Sequence, residues 1–335
     1  MVKRRLTHRQ MSRQKAQQAK RVARAKPFEE TVKSTLNQSL GPEQPGVLVA
    51  HYGTTLIVEN QVGQCFSCSV RQNLGTLVTG DEVIWQQIDD KTGIVVACFE
   101  RRSTISRPDK RTSKPIVANV DVIVIVCAPV PAPGKTTLDR YLILAQSLQL
   151  PALIIINKSD LASTKTHKDL LEQAAVYRQL GYPCLEVSSK TNSGVLALEQ
   201  ALAGKTAVLM GQSGVGKSSL LNALAPHALA QTQSLSALSS RGRQTTSASR
   251  LYHLPLGANL IDSPGIHEFS LSHFSKEAIK QGFREFIPYL GHCRFRNCAH
   301  INEPGCALQE AVRLGKIAPF RLQSYHIIVG DLDNK

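Results

Sequence analysis

Between Gly46 and Glu100 the apolar residues come in short bursts: GVLVAH, GTTLIVE, QCFSCSV, LVTGDEVIW and GIVVACFE, divided by Gly, Asn and Asp turns. Five strands within about 55 residues predict a small barrel of the OB type. Beyond Asp121 the pattern changes. Asp121–Cys127 (DVIVIVC) is continuously apolar, as a strand covered on both faces requires. Helices are expected at Leu138–Leu148 and His167–Leu180. They alternate with apolar strands that run into Asn157, from Cys184 to Val187, and from Ala207 to Met210. The last stretch, Leu308–Leu332, reads as helical. No apolar run approaches eighteen residues, so no membrane span is expected.

Three strand ends carry the chemistry. Ala207–Met210 enters Gly211-Gln212-Ser213-Gly214-Val215-Gly216-Lys217-Ser218-Ser219, a strand, glycine loop and helix of P-loop type. Glycines let backbone N–H groups curl toward phosphate oxygens, and the helix N-terminus adds partial positive charge. Lys217 suits the β- and γ-phosphates, and the Ser218 hydroxyl suits Mg²⁺. The strand Leu153–Ile156 ends in Asn157-Lys158-Ser159-Asp160. An aspartate there accepts from both N1–H and N2–H₂ of guanine, a pair that adenine lacks, while the lysine stem packs on the base and the asparagine braces the P-loop. Ser188-Ser189-Lys190 fits the loop behind the guanine. Asp262-Ser-Pro-Gly265 ends a further strand; the aspartate suits Mg²⁺ through water and the glycine N–H suits the γ-phosphate. Together these indicate a GTPase.

Their order is inverted relative to an ordinary GTPase. NKSD and SSK precede the P-loop, and DSPG comes last, so the domain reads as circularly permuted. All four loops follow strands, and one site can still form at the carboxyl ends of a parallel sheet. Whatever follows DSPG is tethered to the segment that senses γ-phosphate. The permuted order, GQSGVGKSS, NKSD and DSPG resemble the RsgA (YjeQ) family of small-ribosomal-subunit-dependent GTPases, and the resemblance extends over nearly the whole chain. It implies a late-stage assembly factor acting on the small subunit. Its hydrolysis is expected to be slow alone, to be stimulated by the subunit, and to time release.

Composition adds a partner class. Formal net charge is +15, which favours a polyanion. Residues 1–26 hold ten Lys and Arg and no Asp or Glu. They are read as a disordered RNA-binding arm rather than a secretory signal or a transit peptide. Arg101–Lys114, with six Lys and Arg, is read as a basic connector. Phe66, Trp85 and Phe99 are read as core residues, with base stacking as the alternative. Cys65 and Cys68 lie on opposite faces of a strand and are read as packing residues.

The segment Ala228–Ser249 is polar and is expected to become ordered with nucleotide. Either Thr245 or Thr246 within it would complete Mg²⁺ coordination. Ras-like enzymes place a water-orienting glutamine just after D-x-x-G. Here that position is Ile266. The family resemblance implies a histidine in the polar segment instead, and this chain has Gln244 there; its amide can orient water but cannot act as a base. His267 is a weaker candidate.

Near the C-terminus, Cys293-RFRN-Cys298-A-His300-INEPG-Cys306 gathers four soft ligands within fourteen residues, suiting one tetrahedral, structural Zn²⁺. HINEPGC also resembles the family's zinc region. The expected divisions are 1–36 (arm), 37–112 (OB-fold), 113–270 (permuted GTPase domain) and 271–335 (helical zinc-binding domain). The expected protein is a cytoplasmic monomer. The competing function is an rRNA-binding protein with GTP as a mainly structural ligand.

Overall fold

The computed structural model describes residues 40–333 except 53–54, 71–73, 109–112, 227–248, 264–270 and 272. The basic arm and nearly all of the polar segment Ala228–Ser249 lie outside the described residues.

Strands β1 (Glu43–Tyr52), β2 (Thr55–Asn60), β3 (Cys65–Val70), β4 (Glu82–Gln87) and β5 (Thr92–Cys98) form the expected barrel. The pairing runs β1-β2-β3-β5-β4 and closes back on β1, with only β3 and β5 parallel. A register shift between Leu48 and Ala50 gives β1 the extra bend that closure needs. The barrel core holds Leu48, Val58, Phe66, Cys68, Val83, Trp85 and Val95. Phe66 and Trp85 pack ring to ring at 4.6 Å between centroids, which settles both as core residues. Cys68 joins them, while Cys65 on the opposite face packs against the neighbouring core. Phe99 departs from the expected core role: it lies one residue past β5 and is 49% exposed.

The basic connector carries secondary structure of its own. It folds into an antiparallel hairpin of β6 (Thr104–Pro108) and β7 (Ser113–Ala118). Arg101 donates from two guanidinium nitrogens to the fully buried Asp81, at 2.7 and 2.8 Å, and Arg102 pairs with Glu82. Ile105 and Val117 bury between barrel and central sheet, in one core with Val49, Ile57, Ile123 and Ile261.

The central sheet has the order β10-β9-β8-β11-β13-β12, where β8 is Val122–Cys127, β9 Ala152–Ile156, β10 Cys184–Glu186, β11 Thr206–Met210, β12 Arg250–His253 and β13 Asn259–Asp262. All neighbours are parallel except β12, a strand that the sequence reading did not identify. Helices α1 (Thr137–Ser147), α2 (Lys165–Gln179), α3 (Val195–Leu202) and α4 (Lys217–Leu224) supply the crossovers. β8 is buried at every position, as its uninterrupted apolar sequence requires. β12 also meets the barrel, Ala50 opposite Arg250, so barrel and central sheet form one continuous sheet. Nearby, the His253 ring bonds Glu59 of β2 at 2.6 Å.

The C-terminal part comprises α5 (Lys276–Gln281), a 3₁₀ turn at Arg284–Tyr289, α6 (Ala307–Arg313) and α7 (Pro319–Asp333). The long helical stretch read from the sequence is broken between α6 and α7, where Gly315 takes φ 68° and Pro319 opens the next helix. This part packs its own core, around Phe283, Phe286 and Tyr325, against Ile143 of α1. At the seam Arg321, 1% exposed, pairs with Asp139 of α1 and with Glu285. The Tyr177 hydroxyl donates to the same Asp139 at 2.6 Å, and the guanidinium lies over the Phe283 ring at 4.5 Å. Burial alone would lower the Arg321 pKa, but Asp139 and Glu285 more than reverse this and hold the charge firmly in place.

Removing one partner of a buried charge pair strands the other. Asp139→Ala should therefore cost about 3–5 kcal/mol in denaturant unfolding. Breaking the exposed Arg313–Glu310 pair should cost less than about 1 kcal/mol. Equal effects of the two changes would show that the seam is not held by this cluster.

Candidate nucleotide site and metal cluster

The parallel registers bring the critical loops to one edge. Met210 lies opposite Ile125, Cys127 opposite Ile156, and Ile156 opposite Glu186, so NKSD and SSK leave the sheet at one level and the P-loop leaves the same edge about two residues short of it. Asp262 ends β13 on the other side of β11.

Contacts across the loops are close. The buried Asn157 donates from Nδ2 to the Val215 carbonyl at 2.9 Å and accepts the Ser189 N–H on Oδ1 at 3.4 Å. One side chain thus braces the P-loop and the SSK loop together, as the sequence reading expected for the P-loop. A Cβ on Gly216 would come within 2.3 Å of Asn157 Nδ2, and one on Gly211 within 2.3 Å of the Val126 carbonyl. These two glycines are therefore dictated by close approach as well as by their positive φ values of 96° and 150°. Lys158, in a left-handed conformation (φ 60°), donates from Nζ to the carbonyls of Val130 at 2.6 Å and Gly214 at 2.8 Å. Val130 sits in the loop before α1, and that backbone carbonyl left no signal in the sequence. Gln212 reaches Thr137 at the start of α1 at 3.3 Å.

Lys217 begins α4 and folds its ammonium onto the Gly211 and Gln212 carbonyls, both at 2.8 Å. Burial pulls its pKa below the ordinary lysine value, and the Asp262 carboxylate opposes that shift. A lysine already curled over the loop mouth has only to exchange carbonyls for phosphate oxygens. Ser213, Gly214, Ser218 and Ser219 are exposed along the same loop and helix start. Asp160 is exposed at the far end, and Ser188, buried, donates from Oγ to its Oδ1 at 2.6 Å. That bond holds the Asp160 carboxyl below its usual pKa. The Ser159 N–H donates to Val187, tying the NKSD turn to the strand that leads into SSK. Lys190 lies exposed beyond it. Gly265, Gln244, Thr245, Thr246, Ile266 and His267 lie outside the described residues.

The C-terminal ligands converge. One donor atom from each of Cys293, Cys298, His300 and Cys306 lies within 4.8 Å of the others. His300 turns Nδ1 to the Cys293 and Cys306 sulfurs, at 3.5 and 3.4 Å, and its backbone carbonyl meets His326 at 2.8 Å. The Ala307 N–H donates to Cys293 Sγ, and Glu303 accepts three backbone N–H groups of the intervening turn. Three soft sulfurs and one imidazole nitrogen fit a tetrahedral thiophilic ion. His292, which directly precedes Cys293, is not among these converging groups.

An aspartate accepts from guanine only when ionised, so in the role expected of Asp160 affinity would be full above its carboxyl pKa and would fall as the pH drops through it. Ser188→Ala removes the main cause of the depression. Calorimetric GDP titrations should place the acid loss of binding at a higher pH for the variant, with affinity near neutrality little changed. An unmoved acid midpoint would exclude this role for Ser188.

The sequence profile of the RsgA GTPase family matches residues 98–272. The chain is 45% identical to a small ribosomal subunit biogenesis GTPase RsgA of Pseudomonas putida (strain F1), over 99% of this chain and 98% of that protein. It is 46% identical to the protein of that name in Pseudomonas aeruginosa (strain PAO1), over the same shares. Among solved structures, YjeQ from Thermotoga maritima superposes with a TM-score of 0.70 at 29% identity, covering 88% of this chain and 100% of that one. YloQ, a circularly permuted GTPase, gives 0.67 at 28% identity, covering 88% and 96%. With its inverted loop order closing on one site and its near full-length match to these relatives, this chain belongs to the RsgA GTPase family.

Proposed function

We propose that this protein hydrolyses GTP on the small ribosomal subunit during late assembly, that subunit contact accelerates hydrolysis, and that hydrolysis drives release. The observation that carries the reading is the Asn157 and Lys158 bracing of the P-loop, which supports a single ligand shared by the guanine-type aspartate and the phosphate loop. The relatives' names supply the partner. In this reading Asp160 selects guanine, Lys158 backs the base, and Ser188, Ser189 and Lys190 close its far side. The backbone from Gly211 to Gly216 cradles the phosphates, with Lys217 neutralising developing charge on them. Ser218 and Asp262 would hold Mg²⁺, which supplies further charge neutralisation when bound; Thr245 or Thr246 would complete its shell. Gln244 orients the attacking water. Gly265 donates its N–H toward the γ-phosphate.

The basic arm, the barrel and the C-terminal module form the subunit-binding surface, and the chain works as a cytoplasmic monomer. No described helix is long and apolar enough to cross a membrane. Cys293, Cys298, His300 and Cys306 would hold one Zn²⁺. With four protein ligands no position remains for water, so the ion supplies folding energy rather than chemistry. The divisions at 1–36, 37–112, 113–270 and 271–335 follow this assignment, with the β6–β7 hairpin crossing the boundary at 112.

Purified protein should hydrolyse GTP slowly, and added small subunits should raise the rate at least tenfold. Gln244→Ala should abolish most of that stimulation while leaving GDP affinity within about twofold, whereas Lys217→Ala should lose nucleotide binding itself. Unchanged hydrolysis on adding subunits would refute the proposal. Chelation should release one zinc per chain, read by a colorimetric indicator, and expose the C-terminal module to proteolysis. Release of no zinc would reject the metal assignment.

A further inference from the structure

Beside the Cys/His cluster opens a cavity of about 260 Å³. A single ion held by four donor atoms within 4.8 Å of one another would fill only a small part of it. The cavity is walled on its inner side by the ligands Cys293, Cys298 and His300, and elsewhere by Leu290 and Phe295, by the cations Lys280 and Arg296, and by Glu277 and Gln281, with Lys280 and Glu277 4.0 Å apart. Glu277, Lys280 and Gln281 are spaced i, i+3, i+4 on α5 and therefore share one helix face. Opposite them, the loop between Cys293 and Cys298 presents four exposed residues in a row, Arg294 to Asn297. Phe295 is 42% exposed at its crest, with the Arg294 guanidinium 5.6 Å from the ring centroid.

Backbone hydrogen bonds brace this loop. The Arg294 N–H donates to the Gly305 carbonyl at 3.0 Å, and the Cys298 N–H to the Phe295 carbonyl at 3.3 Å. A Cβ on Gly305 would approach that of Arg294 to 2.9 Å, so the two ligand loops are pressed together at this point. An aromatic on a fixed turn loses little freedom on binding.

We infer that this cavity is a binding slot for one unpaired nucleotide of a single-stranded RNA segment. The base stacks on Phe295, its edge meets Glu277 and Gln281, and its flanking phosphates meet Arg296 and Lys280. An unstacked base needs an aromatic or guanidinium face, a polar edge and nearby cations, and all three are present here. A duplex presents no base face to such a slot. An acidic peptide would use the cations but not the exposed ring. The inference rests on the reading of the chain as a GTPase that contacts RNA.

The test uses the full-length protein. Trp85 is the only tryptophan and is fully buried, so Phe295→Trp adds one exposed fluorophore over a constant background. A single-stranded RNA decamer should quench that emission, and a duplex of the same sequence should not. At salt high enough to suppress the basic arm, Phe295→Ala should weaken decamer binding about five- to 150-fold, the range for loss of one base stack. Its salt dependence should be unchanged, whereas Arg296→Ala should lower the slope by about one. Wild-type binding of the decamer with no quenching, together with equal affinity of Phe295→Ala, overturns the slot and leaves the RNA reading intact. Equal quenching by duplex overturns the single-strand assignment. A wild-type protein that responds to small subunits but binds no RNA overturns the slot as well.

Discussion

The bond from the Asn157 amide to the Val215 carbonyl is the constraint on which the site depends. It joins two loops that lie 58 residues apart and in inverted order. It works because Gly216 has no side chain to hold them apart. The same side chain accepts from Ser189, and its neighbour Lys158 fastens Gly214 and Val130. Each of these bonds ends on a backbone atom of the partner loop. The arrangement therefore constrains where the chain runs more than which side chains it carries. That explains how a permuted chain keeps a conventional site: sheet register sets the level of each loop, and these bonds set their spacing.

What could be read from the sequence was local. The P-loop, NKSD and SSK each follow a run of apolar residues, and the strand-to-loop transition lies within the motif itself. The cysteine spacing was equally self-contained. Contacts between distant segments left no such trace. Arg321 and Asp139 are 182 residues apart, and nothing near either one announces a buried charge. The Arg101–Lys114 stretch was legible only as a basic connector because its charges were counted without Asp81, which sits 20 residues upstream of Arg101 in a loop. Phe99 was misjudged because its surroundings depend on where β5 stops, and boundaries are the least legible part of a strand. β12 is four residues long and follows a polar segment, so no periodicity was available to mark it.

Helix α1 connects the two halves of the molecule. Its first residue, Thr137, meets Gln212 of the P-loop, and Asp139 half a turn later meets Arg321. Toward its other end Gln146 accepts from Arg284. Eleven residues span only about 16 Å, so the phosphate loop and the C-terminal module share one short rigid element. A buried carboxylate-rich cluster is a costly way to glue two modules unless the geometry is fixed, because each charge forfeits its hydration. Here one oxygen of Asp139, Oδ1, receives both a guanidinium and a phenol, while Oδ2 is buried without a hydrogen-bond partner.

The pairing of β12 with both β13 and the barrel's β1 has a further consequence for how this protein behaves in a crowded cell. An α/β sheet ordinarily ends in two raw margins, each a template onto which a stray strand can add. On this flank one bridge, Ala50 opposite Arg250, seats the closed barrel against the margin. The opposite margin is β10, only three residues long, too brief to recruit a companion strand. Joining the two folds edge to edge thus leaves little room beside β12 for a stray strand to add.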